Sequence, residues 1–101
     1  MTDPFVVRGA RGSITVSSAA LNGLVVRAAQ SVEGAMVRRP RRSVEVLHGD
    51  GRASVSLQLA VRYGEVAPEL ARTVQHRVAE AVAAACGLEI ERVDVGVEEI
   101  V

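Results

Sequence analysis

The sequence predicts an α+β fold, a two-layer sandwich in which one sheet carries two helices on one face. Apolar residues alternate with a period of two in four short stretches, and they recur every three or four residues in two longer ones. Hydrophobic residues make up 49% of the 101 residues, so about one domain with its own core is expected. Each helix has a single apolar stripe to bury, and one shared sheet face is the economical place for both.

The N-terminal part of the chain predicts a flexible arm, a strand and a helix. Residues 1–11 show no sustained period, and we interpret them as a flexible N-terminal arm. Residues 12–17 alternate apolar and polar side chains, which is typical of a half-buried strand. Ser17 or Ser18 then offers a helix N-cap, and Gly34 is placed to end that helix in the left-handed conformation. The apolar stripe of this helix consists of Leu21, Leu24, Val25, Ala28 and Val32.

The clearest hairpin lies in the middle of the chain. Residues 48–51, with the sequence His-Gly-Asp-Gly, supply a turn because glycines beside an aspartate permit positive φ. The arms on either side alternate, so both carry an apolar face. These apolar positions are Val44 and Val46 before the turn and Ala53, Val55, Leu57, Leu59 and Val61 after it. The side chains expected to face water are Ser54, Ser56, Gln58 and Arg62.

A second helix and a last strand complete the pattern. After the single tyrosine, an apolar stripe runs for about 20 residues, or roughly 30 Å of helix, and consists of Val66, Leu70, Val74, Val78 and Val82. Pro68 suits its first turn and Gly87 its end. The remaining residues alternate again, and a change of parity ahead of Val93 predicts a bulge near Glu91 and Arg92.

The predicted order is β-α-β-β-α-β, in a single domain over residues 12–101. A ferredoxin-like sandwich results if all four strands enter one sheet. The alternative is a KH-like or ring-building αββαβ core, in which the short first strand is peripheral. The sequence leaves both arrangements open.

Composition limits the classes of function. Aromatic residues are only 2% of the chain, too few for base-stacking platforms, sugar-binding shelves or cation–π cages. The single cysteine, Cys86, has no partner for an internal disulfide, which fits a reducing compartment. The longest apolar run, residues 81–86, is far shorter than the roughly 20 residues of a membrane-spanning helix. We therefore expect a cytoplasmic protein with no direct transmembrane insertion.

The positions of the two histidines and the single cysteine do not suggest catalysis. His48 falls in the predicted turn, and His76 falls on the solvated face of the second helix. Cys86 lies at the negative end of that helix, where a thiol pKa rises. Ten helical residues separate His76 from Cys86, about 15 Å, which is too far for a shared metal. We expect no catalytic residue, no metal, no cofactor and no small-molecule substrate.

One charged segment stands out as a candidate binding site. Arg38, Arg39, Arg41 and Arg42 place four positive charges within five residues, and we expect Pro40 to keep them extended. Arginines in this pattern suit an acidic protein partner, anionic lipid headgroups at about 1 kcal/mol per residue, or nucleic acid phosphates. A plain solvated connection is the alternative interpretation.

The last stretch of the chain has the opposite charge. Its acidic residues outnumber its arginines by four, which matches the four arginines of the basic segment. We hypothesise that the basic segment of one copy meets the acidic strand of the next, giving head-to-tail association. The charged residues of this stretch are Glu89, Glu91, Arg92, Asp94, Glu98 and Glu99.

Six short motifs, in their order and spacing, resemble the alkaline shock protein family of Gls-type envelope stress response proteins. The motifs are residues 12–17 (GSITVS), 32–34 (VEG), 61–64 (VRYG), 74–75 (VQ), 87–88 (GL) and 93–97 (VDVGV). This resemblance implies a non-catalytic protein of cell-envelope homeostasis that binds proteins. It also implies that the partners are further copies of itself and an anchor protein at the inner face of the membrane.

An RNA-binding module of KH-like shape is the alternative function. Such a module needs a Gly-x-x-Gly loop with basic residues to clamp the nucleic acid backbone. The one match, residues 9–12, precedes a predicted strand instead of joining two helices. We therefore expect proteins, not nucleic acid, as partners.

Overall fold

A computed structural model of the chain describes residues 5–9 and 12–101. The fold is α+β, as predicted, and the six predicted elements occur in the predicted order, with three further short elements. In chain order the elements are β1 Phe5–Gly9, β2 Gly12–Val16, α1 Ser18–Gln30, β3 Ala35–Met36, α2 Pro40–Ser43, β4 Val44–Gly49, β5 Arg52–Val61, α3 Ala67–Cys86 and β6 Glu89–Ile100.

The first two strands form a hairpin of their own. β1 pairs antiparallel with β2, with Phe5 opposite Val16 and Gly9 opposite Gly12. Neither strand joins the four-stranded sheet, so the ferredoxin-like topology is wrong. The alternative, a peripheral first strand beside an αββαβ core, is the arrangement found. β1 hydrogen-bonds one edge of β2 and so takes the place of a neighbouring strand in the sheet.

The segment interpreted as a flexible arm falls partly outside the described residues. Residues 1–4, 10 and 11 lie there, whereas Phe5–Gly9 is strand β1. The sequence of β1 has two adjacent valines and no alternation. For that reason the period-two signal was missing from this strand.

The four-stranded sheet is built around β5. β6 runs parallel to β5 and pairs with it from Arg52 to Val61. β4 pairs antiparallel with the first part of β5, and β3 pairs antiparallel with Ala60 and Val61. Because β6 occupies one side of β5 throughout, β3 and β4 share the other side. The sheet is therefore three strands wide, and helix α3 makes the crossover between its two parallel strands.

The core lies between this sheet and the two long helices. α1 and α3 contact each other, α1 contacts β4, and α3 contacts β6. Leu70, Val74, Val78 and Val82 of the second predicted stripe are buried, but Val66, its first predicted residue, is exposed. Of the first predicted stripe, Leu21, Val25 and Val32 are buried and Leu24 and Ala28 are partly buried. The largest fully buried side chains are Leu21, Val25, Val46, Val55, Leu57, Leu59, Val61, Val74, Val78 and Val82.

The helix ends follow the predictions in all but one case. Ser17 caps α1, accepting a hydrogen bond from the Ala20 N–H at 3.1 Å, and Gly87 ends α3 in the left-handed conformation. Gly34, however, does not end α1. The helix closes at Ser31, whose N–H donates to the carbonyls of Arg27 and Ala28, so Gly34 serves the turn into β3 instead.

The central hairpin and the irregular last strand match the sequence. The two turn residues, Asp50 and Gly51, both have positive φ, 52° and 75°, as a two-residue hairpin turn requires. The pairing of β6 with β5 skips Glu91, which is the predicted bulge, and it skips Glu98 as well. The second irregularity was not predicted.

Candidate functional site

The arginine segment, residues 38–42, occupies an excursion from one side of the sheet. The chain leaves the sheet after Met36 and returns at Val44, and both ends pair with β5. The expected extended conformation is wrong, because residues 40–43 form the single helical turn α2. Pro40 is at its start, where a fixed φ and a missing N–H suit a helix.

Two of the four arginines are paired within the chain. Arg38 Nε lies 3.3 Å from Glu99 Oε1, and Arg39 Nη2 lies 3.8 Å from Glu98 Oε2. Both glutamates belong to β6, so these side chains reach past β5. The charge complementarity that we expected between copies is thus partly met inside one molecule. The two arginines and the two glutamates are all at least partly exposed. Ion pairs of this kind contribute about 0–1 kcal/mol to stability.

The other two arginines face an open groove. Among the described residues, neither Arg41 nor Arg42 has a carboxylate within ion-pair distance. They lie beside the N-terminal half of α1 and the start of β4, and the groove between these elements has a volume of about 710 Å³. We call this the α1–β4 groove. Its apolar lining includes Ala19, Val26 and Pro40.

A polar atom in the same groove lacks a partner. Asn22 lines the α1–β4 groove, and its Oδ1 is buried without a hydrogen bond to any described residue. A buried acceptor left unpaired costs about 1–3 kcal/mol. The groove therefore offers two guanidinium donors, whereas the Asn22 oxygen is buried behind its surface. No sequence pattern pointed to Asn22, because it lies on a helix face with ordinary spacing.

The potentially reactive side chains are dispersed. His76 Nε2 lies 2.8 Å from Glu80 Oε1 on the exposed face of α3, and His48 lies near the end of β4. Cys86 ends α3, where burial raises the pKa of its thiol. The described part of the chain contains no group of three His, Cys, Asp or Glu side chains that could hold a metal ion.

The Gly-x-x-Gly sequence lies in the first hairpin. Gly9 ends β1, Gly12 begins β2, and the two face each other across the ladder; Ala10 and Arg11 are outside the described residues. The motif therefore joins two paired strands, whereas an RNA-clamping loop of the KH type has helices on both sides. This placement does not favour the RNA-binding alternative.

A charged cluster lies just after β5, at the end of the sheet where β5 pairs with Glu99 and Ile100 of β6. Arg62 donates to Glu65 at 2.8 Å and to Glu33 at 3.4 Å. These contacts, with the Glu65 hydrogen bond first, raise the Arg62 pKa above its ordinary value. The sequence predicted Arg62 as a solvated residue, and it is exposed, but the two glutamates come together only because the loops before β3 and α3 meet.

No helix within residues 5–9 and 12–101 combines the length and the apolar character needed to cross a membrane.

The sequence also agrees with a known family beyond its short motifs. Residues 37–101 match the model of the alkaline shock protein family, which is described as having a cell envelope-related function. The match covers more than half of the chain, including the arginine segment, β4, β5, α3 and β6. No curated protein and no solved structure matches the chain. The resemblance is thereby confirmed, and the chain belongs to the alkaline shock protein family, with a cell envelope-related function.

Proposed function

We propose that this protein is a non-catalytic, protein-binding scaffold of the cell envelope, which self-associates and is brought to the inner face of the membrane by an anchor protein. The observation that carries the proposal is the family match over residues 37–101. That region contains both the arginine segment and the acidic strand β6.

The distribution of polar groups supports binding over catalysis. General acid–base or nucleophilic chemistry needs two or three groups within hydrogen-bond reach of one another. His48, His76 and Cys86 lie on three different parts of the described surface. The unpaired Arg41 and Arg42 instead line an open groove, which suits docking of an acidic protein surface.

Sedimentation velocity over a concentration series tests self-association directly. We expect the weight-average sedimentation coefficient of the full chain to rise with concentration and to fall as salt is added, because screening weakens contacts between exposed charges. The double variant R41E/R42E should shift the rise to at least about tenfold higher concentration. A chain that sediments as a monomer throughout the series would remove self-association from the proposal.

A matched control separates the groove from charge alone. R27E/R77E changes the net charge by the same amount at two exposed arginines that do not line the α1–β4 groove. We expect it to associate as the unmodified protein does. Equal losses in R27E/R77E and R41E/R42E would show that net charge, not the groove, governs association.

Flotation with vesicles tests how the protein reaches the membrane. With vesicles containing anionic phosphatidylglycerol, we expect the purified chain to remain unbound, because recruitment depends on a protein partner. Salt-sensitive flotation that R41E/R42E abolishes would instead identify the arginines as a headgroup site. Salt-sensitive binding of RNA at micromolar concentration would favour the KH-like alternative over the scaffold.

A further inference from the structure

Both lateral edges of the four-stranded sheet are open in the described part of the chain. β4 and β6 each pair with β5 and with no other described strand. β4 has six residues and β6 has twelve. The Val93 carbonyl of β6 already accepts a hydrogen bond from the Gln75 side chain at 2.9 Å. The remaining outward N–H and C=O groups along such edges are a template for adding a further strand.

The strand directions favour one way of joining two copies. β4 is antiparallel to β5 and β6 is parallel to it, so β4 and β6 run in opposite directions within one molecule. A second copy in the same orientation, set beside the first, places its β4 antiparallel to the neighbour's β6. Antiparallel pairing is slightly more stable per residue than parallel pairing.

The alternative pairing of two β6 edges is unfavourable. Two β6 strands side by side would bring together two stretches that each carry four more acidic residues than arginines. Like charges directly opposite each other in a ladder are destabilising. The two unlike edges avoid this conflict, because β4 contains one acidic residue, Glu45.

A groove lies beside the helix layer at each lateral edge of the sheet. The α1–β4 groove adjoins one edge. A second groove, of about 500 Å³, adjoins the other edge between α3 and β6, and its lining includes the partly buried Ala79, Ile90 and Val93. Each lateral side therefore combines an open strand with incompletely covered apolar groups, and the helix layers of two copies can approach as their sheets join.

Charge indicates which residues of β4 and of the neighbouring β6 lie opposite each other. Val44 pairs with Leu57, which pairs with Val95, so these three residues share one row across the sheet. The unpaired Arg41 and Arg42 precede Val44 and thus lie toward the end of β6 that carries Glu98 and Glu99. In a neighbour joined without a large shift, these arginines approach Glu98 and Glu99, which Arg39 and Arg38 of their own chain already contact.

We propose that copies of this protein join head to tail, with the β4 edge of one copy added antiparallel to the β6 edge of the next. The partner on this surface is a second copy of the chain, and the inference rests on the self-association in the proposed function. Because the two edges differ, the contact is heterologous and repeats. Three strands per copy give an axial rise of about 14 Å, and ordinary sheet twist gives a rotation of about 60–75° per copy.

Amide hydrogen exchange on the full chain tests the contact. In a sheet, alternate residues of an edge strand direct their N–H and C=O groups outward. We expect every second amide between Val93 and Val97 to exchange fast in dilute protein and to become protected as the protein associates. The outward amides of β4 should gain protection over the same concentration range. Association without new protection in β4 and β6 would overturn the inference.

A mixing experiment tests the pairing of unlike edges. R41E/R42E and E98R/E99R each place like charges at the contact, so each alone should associate at least about tenfold more weakly than the unmodified chain. An equimolar mixture should recover association, because each acidic surface then meets a basic one. Circular dichroism of both variants shows whether they remain folded. Folded variants whose mixture associates no better than either alone would also overturn the inference.

The outcomes distinguish this inference from the proposed function. Concentration-dependent association with protection confined to other elements contradicts the edge contact but leaves the scaffold proposal standing. A protein that stays monomeric at every concentration contradicts both. Protection of alternate amides in both edge strands, with recovery in the mixture, supports both.

Discussion

Gly34 lies where the turn after α1 meets the start of α3. Its φ is 92°, and a Cβ at this position would lie 2.9 Å from Glu65 Cγ and 3.0 Å from Leu70 Cδ1. Its carbonyl accepts a hydrogen bond from the Arg62 N–H at 2.9 Å. The conformation and the space both require glycine, and a displaced turn would disturb Arg62.

We expect Gly34→Ala to lower the free energy of unfolding by about 1–3 kcal/mol, because the backbone strain and the contacts add. Urea denaturation measures the change. Gly23→Ala is the control: Gly23 is inside α1 with nothing within 4 Å of the added Cβ, so it should gain about 0.5–1 kcal/mol. Equal midpoints for Gly34→Ala and the unmodified protein would contradict this account.

Cys86 provides a pH-dependent prediction. Burial raises its thiol pKa, so at mildly alkaline pH the folded protein should react with iodoacetamide more slowly than the same protein in concentrated urea. A raised folded pKa favours folding at low pH, and this contribution is lost as the pH rises through the folded pKa. Mass spectrometry of the alkylated fraction checks the rates. Faster reaction in the folded state would identify an activated thiol.

At the scale of elements, the two long helices begin differently. Ser17 supplies a side-chain oxygen to the first turn of α1, whereas α3 begins after Val66, which makes no capping hydrogen bond with its side chain. The backbone of Val66 is nevertheless extended, with φ −86° and ψ 103°, and this conformation accepts a polar cap. α3 therefore depends on its buried stripe and on Pro68 to define its start.

The different N-caps of α1 and α3 predict opposite effects of substitution on stability. Ser17→Ala should cost about 1 kcal/mol of stability, because the Ala20 N–H loses its partner. Val66→Ser should gain about 0.5–1 kcal/mol, since an exposed apolar cap is replaced by a hydrogen-bond acceptor. Thermal unfolding followed by circular dichroism gives both values. The account of α3 fails if Val66→Ser destabilises the protein.

At the scale of the whole molecule, stability and assembly depend on different interactions. Among the residues whose burial is described, the buried ones are apolar apart from Ser43. The ion pairs of the described residues join side chains that are all at least partly exposed. Folding thus rests on apolar burial, and the charges remain available for contacts with other molecules.

This separation predicts a contrast in salt dependence. Between about 0.05 M and 1 M sodium chloride, where screening of exposed charges becomes nearly complete, the free energy of unfolding should change by less than about 1 kcal/mol. The association measured by sedimentation should weaken strongly over the same range. Parallel urea titrations and sedimentation series make the comparison. A large change in stability would show that the surface ion pairs do contribute to folding.

The sequence was sufficient where periodicity and turn chemistry agree. The stripe of α3, the turn at Asp50 and Gly51, and the bulge at Glu91 were all predicted from local patterns. The partner of the first predicted strand was not, because strand pairing is decided by contacts distant in sequence. β1 was missed for its lack of alternation, and α2 because a proline between arginines fits an extended segment as well as a helix start.

The candidate site was only partly predictable. The four arginines were evident from charge density, but their division into two paired and two unpaired residues depends on how β3, β5 and β6 align. The burial of the Asn22 oxygen without a partner likewise appears only in the folded chain. Such features depend on tertiary structure, and the spacing of residues along the sequence does not predict them.

The excursion between β3 and β4 has a consequence for how this protein tolerates change. Because both flanking strands are held by β5, the chain between them is clamped at its two ends, and its contents can vary without altering the register of the hairpin that follows. Lengthening or exchanging residues 38–42 should therefore alter recognition while sparing the fold. A fluorescent reporter or epitope inserted at the same position should likewise leave the fold intact.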